Sequence, residues 1–190
     1  MYAYQDVLKE VLIDEDTLQN RIKELAAVIN EEYKGKDLIL ICILRGGVVF
    51  MIDLMRHITV PHKIEFMAIE SYGEGKRESS GNVRIVYDLR TDIKDKDVLI
   101  VEDIIDSGNS LSAAIPLIRE KGPKSLEICT LLDKTSRRVV DVPVKYRGFE
   151  IPDKFVYGYG LDLDDYYRNL PFIGVVDTDK LAEIQREQGL

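Results

Sequence analysis

The chain has 190 residues, of which 45% are apolar and 32% are charged, and its formal net charge is −8. This composition is typical of one globular domain with its own core, and it excludes a collagen-like, disordered or disulfide-framework protein. The acidic balance also argues against a general nucleic-acid coat, because such a protein needs a cationic surface.

Cysteine placement and the N-terminal segment bear on cellular location. Cys42 and Cys129 each lie inside an apolar run, so we expect two reduced, buried thiols. The N-terminus, MYAYQDVLKEVLIDEDT, has early acidic residues and no basic-then-apolar signal pattern. No stretch approaches the roughly 18 uncharged residues of a membrane span. These observations predict a cytoplasmic protein with no membrane partner.

The first predicted elements are a helix and a buried strand. Apolar residues at helical spacing over 18–29 predict a helix with Asp16 or Thr17 as its N-cap and Gly35 as its end. The continuous apolar run over 38–44 then predicts a strand buried on both faces, which is typical of a parallel sheet.

The rest of the chain continues the same alternation. The further predicted elements are helices over 48–57, 110–121 and 179–188, and strands over 64–69, 83–87, 98–101, 125–132, 155–157 and 173–176. Pro116 predicts a kink in its helix or an earlier end. Strands that alternate with helices indicate an α/β fold with a mostly parallel central sheet flanked by helices.

One segment has no apolar pattern. Residues 71–81, SYGEGKRESSG, are polar, charged and rich in Gly and Ser. We expect a mobile loop here, and a loop of this length in a compact domain is often functional.

The strongest chemical signal is VLIVEDIIDSGNS, residues 98–110. A buried strand ends at Glu102 and Asp103, and ligands of open α/β sheets bind beyond the carboxyl ends of strands. The Ser-Gly-Asn-Ser turn over 107–110 precedes a helix, so it offers backbone N–H groups, hydroxyls and the positive end of the helix dipole to a phosphate. This segment therefore predicts a site for a sugar diol beside a phosphate.

Three other interpretations fit part of this segment. The acids, including Asp106, could simply cap the following helix. A Walker B strand also ends in acids, but it requires a Gly-x-x-x-x-Gly-Lys-Ser/Thr loop that the sequence lacks. A response-regulator receiver domain opens with a similar strand, but too few residues follow Leu99 for that domain.

A series of motifs in this order resembles the type I phosphoribosyltransferases. VEDIIDSGNSL at 101–111 resembles their phosphoribosyl pyrophosphate loop, and LRGG at 44–47 resembles their pyrophosphate loop. The SY pair at 71–72 resembles the start of their flexible catalytic loop, and LDK at 132–134 resembles their purine-reading lysine. The closing segment, 151–174, resembles the base pocket of the hypoxanthine-guanine phosphoribosyltransferases, so the resemblance covers nearly the whole chain.

The resemblance implies a fold and a reaction. The fold is that of the type I phosphoribosyltransferases: a single domain over 1–190, with a mobile loop over about 71–81 and a small hood from segments near 1–15 and 151–175. The reaction transfers the 5-phosphoribosyl group from phosphoribosyl pyrophosphate to N9 of hypoxanthine or guanine, giving IMP or GMP and pyrophosphate, with Mg²⁺. The family also implies a homodimer or a homotetramer.

The resemblance implies roles for the residues that meet the sugar and the metal. Glu102 and Asp103 would hold the ribose hydroxyls and their Mg²⁺, and Asp162 would contact a second Mg²⁺ through water. Asp106 would act as general acid/base at N7 of the purine, a role that typically contributes about 10²–10⁴-fold in rate.

The resemblance also implies roles in binding the phosphate groups. The phosphate would be bound by the turn residues Ser107, Gly108, Asn109 and Ser110. Pyrophosphate would meet Arg45, the backbone at Gly46, and Arg168. Arg45 departs from many relatives, which carry Lys there, and the family implies a cis peptide bond between Leu44 and Arg45.

The base pocket follows from the same resemblance. Lys134 would donate to O6 of the purine, which selects 6-oxopurines over adenine, and Phe155 would stack on the base. Val156 and Asp162 would present backbone carbonyls to the 2-position of guanine. Ser71 and Tyr72 would begin a lid that keeps water from the reacting ribose.

Two alternative functions remain at this stage. A phosphoribosyl-pyrophosphate-sensing regulator of the same fold would bind nucleic acid, so it would need a basic face or an added DNA-binding domain; the net charge of −8 and the intact base-pocket segment favour an enzyme without a nucleic-acid partner. An enzyme for another base is the third interpretation. Lys134 and the segment 151–174 argue against pyrimidines, and less strongly against xanthine.

Overall fold

The structure is a computed structural model that describes residues 3–71 and 83–187. The helices are α1 (Glu15–Glu32), α2 (Val48–His57), α3 (Asn109–Glu120) and α4 (Thr178–Glu187). The strands are β1 (Leu8–Ile13), β2 (Leu38–Ile43), β3 (His62–Ser71), β4 (Val83–Tyr87), β5 (Asp97–Ile105), β6 (Ser125–Asp133), β7 (Tyr146–Glu150), β8 (Val156–Tyr157) and β9 (Ile173–Val176). Single 3₁₀ turns cover Tyr4–Val7 and Thr135–Arg137.

The central sheet has the strand order β4-β3-β2-β5-β6-β7. Five neighbouring strands run parallel, namely β3, β2, β5, β6 and β7, and β4 pairs with β3 antiparallel at the edge. Every residue of β2 is buried, because helices cover both faces of the sheet. The predicted α/β fold with a mostly parallel sheet is confirmed.

Alternate residues of β2 separate the two halves of the core. Leu40 and Cys42 face the side on which α1 and α2 pack, whereas Ile39 and Ile41 face the side of α3. Two layers of helix therefore enclose the sheet, as period-two side-chain alternation requires. Both cysteines are free and buried, as predicted.

A second, smaller sheet consists of β1, β9 and β8, all paired antiparallel. A separate apolar cluster, which includes Val7, Tyr157 and Val176, packs beneath it. The chain between β8 and β9 returns toward the central sheet, because Gly160 lies against the backbone of Gly46. The small sheet thus brings a C-terminal loop to the edge where β2 ends.

Several predicted boundaries were wrong. The N-cap of α1 is Asp14, whose side chain accepts from the N–H of Thr17, and Asp16 lies inside the first turn. The strand predicted over 98–101 continues through both acids to Ile105, because its pairing with β6 continues. Strands β1 and β7 were not predicted as separate elements, and α3 passes through Pro116 without an earlier end.

None of the helices in the described ranges is both long enough and apolar enough to cross a membrane. The expected mobile loop over 71–81 lies outside the described residues except for Ser71, which ends β3.

Candidate active site

A cavity of about 290 Å³ opens at the carboxyl ends of β2 and β5. Its walls are the turn that follows β2, the acidic end of β5 and the segment that leads into α3. These segments meet because the carboxyl ends of parallel strands lie at one edge of the sheet. The predicted site residues that line the cavity are Arg45, Gly46, Glu102, Asp103, Asp106, Ser107, Gly108 and Ser110.

The turn after β2 approaches β5 at Gly46. A Cβ atom at this position would lie 1.7 Å from Oδ2 of Asp103, so only glycine permits the backbone to come this close. The peptide bond between Leu44 and Arg45 is cis, as predicted. The backbone of this turn therefore forms one wall of the cavity directly against a carboxylate.

Glu102 and Asp103 form an acidic pair with little compensating charge. Glu102 is only 7% exposed, and burial, followed by the charge of Asp103, raises the pKa of Glu102 well above its ordinary value. Burial also raises the pKa of Asp103 to about 6, although the N–H of Ile104 donates to its Oδ1 at 2.9 Å. The carboxylates gain stability if a cation binds beside them.

This pair has the donors that a hard divalent cation prefers. In the described part of the chain, no lysine or arginine forms an ion pair with Glu102 or Asp103. Nor do three or more His, Cys, Asp or Glu side chains gather there in a metal-binding group. A cation at this site would take its other ligands from substrate and water, as Mg²⁺ does at phosphate sites.

The segment before α3 suits an anion. Gly108 is the N-cap at φ +87°, and a Cβ there would lie 2.6 Å from the carbonyl oxygen of Val140. The N-cap residue has no side chain that could cap this helix, so the N–H groups that follow Asn109 in the first turn are available to an anion. Ser107 Oγ accepts from the N–H of Asn109 at 3.3 Å. The alternative in which Asp106 caps this helix is wrong.

Asp106 faces two cationic side chains. Nζ of Lys134 lies 3.7 Å from Oδ2, and Nε of Arg137 lies 3.2 Å from Oδ1. Lys134 is only 6% exposed, and its backbone N–H donates to the carbonyl oxygen of Ile105 at 2.9 Å. Arg137 was not predicted, although the KTSRR run directly after the predicted lysine contains it. Nη1 of Arg137 also lies 3.5 Å from Oδ2 of Asp153.

The loop between β8 and β9 places more charges beside Arg45. Nη2 of Arg45 lies 2.7 Å from Oδ1 of Asp165, a residue that the sequence did not single out. Nη2 of Arg168 lies 2.7 Å from Oδ1 of Asp162, and Nη1 of Arg168 donates to the carbonyl oxygen of Gly160 at 2.8 Å. The Asp162 carboxylate, which was predicted to contact a metal ion, therefore forms an ion pair with Arg168 in this structure.

Some of the predicted residues lie outside the cavity wall. They are Asn109, Lys134, Phe155, Val156, Asp162 and Arg168. Phe155 is 49% exposed, whereas Val156 is buried in β8. Tyr72 lies outside the described residues.

Carboxylates at a strand end, an anion-binding turn before a helix and a glycine turn on the neighbouring strand define a type I phosphoribosyltransferase. The family model for the phosphoribosyl transferase domain matches residues 14–164. Over 88% of the chain, the sequence is 53% identical to the hypoxanthine phosphoribosyltransferase of Salmonella typhimurium, and the match covers 94% of that protein.

Two further relatives agree. The hypoxanthine-guanine phosphoribosyltransferase of Staphylococcus epidermidis is 47% identical, over 90% of this chain and 96% of that protein. A crystal structure of a hypoxanthine phosphoribosyltransferase from Staphylococcus aureus has a TM-score of 0.89 at 46% identity, over 92% of this chain and 95% of that chain. The chain belongs to the hypoxanthine-guanine phosphoribosyltransferase family. These relatives are named as enzymes, so the regulator alternative gains no support.

Proposed function

We propose that the chain transfers the 5-phosphoribosyl group from phosphoribosyl pyrophosphate to N9 of hypoxanthine or guanine, giving IMP or GMP and pyrophosphate. The observation that carries this proposal is the cavity in which buried carboxylates, an anion-binding turn and the Gly46 turn face one another. These three features suit the ribose hydroxyls, the 5′-phosphate and the pyrophosphate of the donor. The names of the relatives support the same reaction.

Glu102 and Asp103 bind the ribose hydroxyls and an associated Mg²⁺ ion. Bound Mg²⁺ offsets the negative charge of the departing pyrophosphate. Asp162 would serve a second Mg²⁺ through water, although in this structure its carboxylate pairs with Arg168. The raised pKa values of these two adjacent carboxylates, of which Glu102 is buried, support this assignment, because a cation stabilises their charged forms.

The phosphate groups of the donor bind at two places. Ser107, Gly108, Asn109 and Ser110 bind the 5′-phosphate through hydroxyls and the N–H groups at the start of α3. Arg45, the backbone at Gly46, and Arg168 bind the pyrophosphate. The two arginines lie near each other, because both contact Asp165.

Asp106 acts as general acid/base at N7 of the purine, and Lys134 donates to O6. An ammonium group only donates hydrogen bonds, so it favours a 6-oxopurine over adenine, whose 6-amino group is itself a donor. Phe155 stacks on the base, and the backbone carbonyls of Val156 and Asp162 face its 2-position.

Water must be kept from the ribose as the bond to pyrophosphate breaks. We assign this exclusion to the segment that begins at Ser71 and Tyr72, of which residues 72–82 lie outside the described ranges.

The assembly is a homodimer or a homotetramer, which sedimentation of the purified chain would measure. The substrates are the only small-molecule partners proposed, with no nucleic acid and no membrane surface among them. The net charge of −8 supports the lack of a nucleic-acid partner. The cytoplasmic location stays a prediction.

A spectrophotometric assay with phosphoribosyl pyrophosphate and Mg²⁺ tests the reaction. Hypoxanthine, guanine, xanthine, adenine and uracil are each supplied alone. We expect turnover with hypoxanthine or guanine and none with adenine or uracil. A chain that binds phosphoribosyl pyrophosphate but turns over none of the five bases would contradict the proposal.

A further inference from the structure

A partly buried hydrogen-bond cluster outside the cavity joins α1, α2 and the loop after β8. The hydroxyl of Tyr159 donates to Oδ2 of Asp53 at 2.5 Å. Nε2 of Gln19 donates to the same carboxylate oxygen at 2.9 Å and to the Tyr159 hydroxyl at 3.2 Å. Tyr159 is only 3% exposed, and its burial, followed by the bond to Asp53, raises its pKa, so the phenol stays a donor.

The backbone of Tyr159 connects this cluster to the cavity. Tyr159 has φ +50°, a left-handed conformation that residues other than glycine rarely adopt, and Gly160 follows at φ +97°. A Cβ atom on Gly160 would lie 2.2 Å from the carbonyl oxygen of Gly46, so these two backbones are in direct contact. Because Gly160 directly follows Tyr159, a shift of Tyr159 moves the Gly160 backbone that packs on Gly46.

Asp53 connects the same cluster to the turn that contains Gly46. It lies on α2, which begins directly after the turn of Arg45, Gly46 and Gly47. The bond from Tyr159 to Asp53 therefore ties the loop to the same helix that the turn begins.

Arg168 depends on the same loop. Its Nη1 donates to the carbonyl oxygen of Gly160 at 2.8 Å, and the N–H of Gly160 donates to the carbonyl oxygen of Arg168 at 2.9 Å. Arg168 and Gly160 are thus held together by two hydrogen bonds. The placement of Gly160 consequently sets the placement of the arginine.

We propose that Tyr159 and Asp53 are positioning residues for the pyrophosphate end of phosphoribosyl pyrophosphate. Their hydrogen bond holds Gly160 against Gly46 and so sets the spacing between Arg168 and the backbone of the turn. Neither side chain lines the cavity. The assignment rests on the proposed function for the identity of the ligand, and it predicts that the purine end is affected least.

Substitutions at both ends of the bond test this role. Tyr159→Phe and Asp53→Ala each remove the hydrogen bond, whereas Asp53→Asn keeps a carbonyl oxygen that accepts from Tyr159. The readouts are the Kd for phosphoribosyl pyrophosphate with Mg²⁺ by calorimetry, and the KM for hypoxanthine at saturating donor. We expect Kd to rise about tenfold in Tyr159→Phe and Asp53→Ala, the effect of losing a bond to a carboxylate.

The hypoxanthine KM should change less than about twofold in these variants, and Asp53→Asn should stay near the wild-type Kd. The matched control is Tyr157→Phe. Tyr157 is buried and its hydroxyl donates to the carbonyl oxygen of Tyr4 at 2.9 Å, beneath the small sheet. The Tyr157→Phe variant therefore loses a hydroxyl bond of similar kind, made to the N-terminal 3₁₀ turn rather than to Asp53.

Three results would overturn the proposal. The first is a donor Kd that rises as much in Tyr157→Phe as in Tyr159→Phe. The second is a Tyr159→Phe variant with a lower Tm but an unchanged donor Kd. The third is an Asp53→Asn variant whose donor Kd rises as in Asp53→Ala. Calorimetry measures donor binding without turnover, so it tests the positioning role separately from the reaction. A wild-type chain that binds the donor but turns over no base would reject the proposed function. The donor Kd values of the variants would still decide the positioning role. A wild-type chain that binds no donor would reject both.

Discussion

Asp106 is the single residue on which the proposed chemistry depends most. Its carboxylate lies between Lys134 and Arg137 at the edge of the cavity, with its side chain 43% exposed. We expect Asp106→Asn to lower kcat by about 10²–10⁴-fold, because the amide cannot transfer the proton. The Tm should change little, since ion pairs of half-exposed groups contribute little to stability.

Initial rates with hypoxanthine and a thermal melt on the same preparation measure both effects. A variant that keeps full activity would remove Asp106 from the acid/base role. A variant that unfolds at a much lower temperature would show that the carboxylate is structural.

Lys134 tests the location of the base pocket. It is buried directly after β6, and its Nζ lies 3.7 Å from Oδ2 of Asp106, so the ammonium is held beside the carboxylate that we assign to N7. Lys134→Ala should raise the KM for hypoxanthine about tenfold or more, and the KM for phosphoribosyl pyrophosphate much less, because a hydrogen bond from a charged donor to O6 is lost.

Lys145→Ala is the matched control. Nζ of Lys145 lies 2.5 Å from Oε2 of Glu32, and neither residue lines the cavity. Both KM values should therefore stay near those of the wild type. The reverse pattern in Lys134→Ala, with the donor affected more than the base, would mean that the base pocket is misplaced.

At the scale of the elements, the first turn of α1 depends on Asp14. Its side chain accepts from the N–H of Thr17 at 2.8 Å, whereas Asp16, which the sequence also suggested, lies within the helix. Asp14→Ala should lower the Tm by about 3 °C, and Asp16→Ala should lower it less. Thermal unfolding followed by circular dichroism compares them, and an equal loss would contradict the assigned cap.

The same cap predicts a pH dependence. Hydrogen bonds from Thr17 lower the pKa of Asp14 below its ordinary value. A group whose pKa is lowered on folding stabilises the protein above its unfolded pKa, and this stabilisation is lost as the pH falls through the folded value. The difference in Tm between the wild type and Asp14→Ala should therefore narrow in acid.

The acidic end of β5 shows why the ends of elements escape sequence reasoning. Glu102 and Asp103 suggested a strand end after Val101, because charged residues are rare within buried strands. Pairing with β6 nevertheless continues as far as Ile105, which lies opposite Asp133. The neighbouring strand, rather than the residue type, decides where β5 ends.

At the scale of the whole molecule, donor and metal should stabilise the fold together. A ligand that binds only the folded state at about 100 times its Kd contributes about 2.7 kcal/mol. For a chain of this size, phosphoribosyl pyrophosphate with Mg²⁺ should raise the Tm by about 5–10 °C. The physical reason is that a cation beside Glu102 and Asp103 relieves their unfavourable burial and joins them to the ligand.

Differential scanning fluorimetry with and without a chelator measures this linkage. The chelator should remove most of the rise, and added Mg²⁺ should restore it. A shift of the same size in the presence of the chelator would contradict a metal-dependent site at the two carboxylates.

Local patterns determined much of this protein from its sequence alone. The parallel sheet was readable because strands buried on both faces are continuously apolar, as in Leu38–Ile43. The cavity wall was readable because Glu102 to Ser110 form one contiguous segment, in which chain order is also spatial order. The family followed from several such segments in sequence.

Only the tertiary structure decided the contacts between distant segments. Arg137 meets Asp106 from a different strand end. Gly160 packs on Gly46 and Tyr159 binds Asp53, each across more than a hundred positions of the chain. Each contact depends on how separately folded segments pack against one another, and a pattern within one segment carries no information about its partner. The sequence therefore predicted the residue types that line the cavity, whereas the contacts that position those residues were seen only in the tertiary structure.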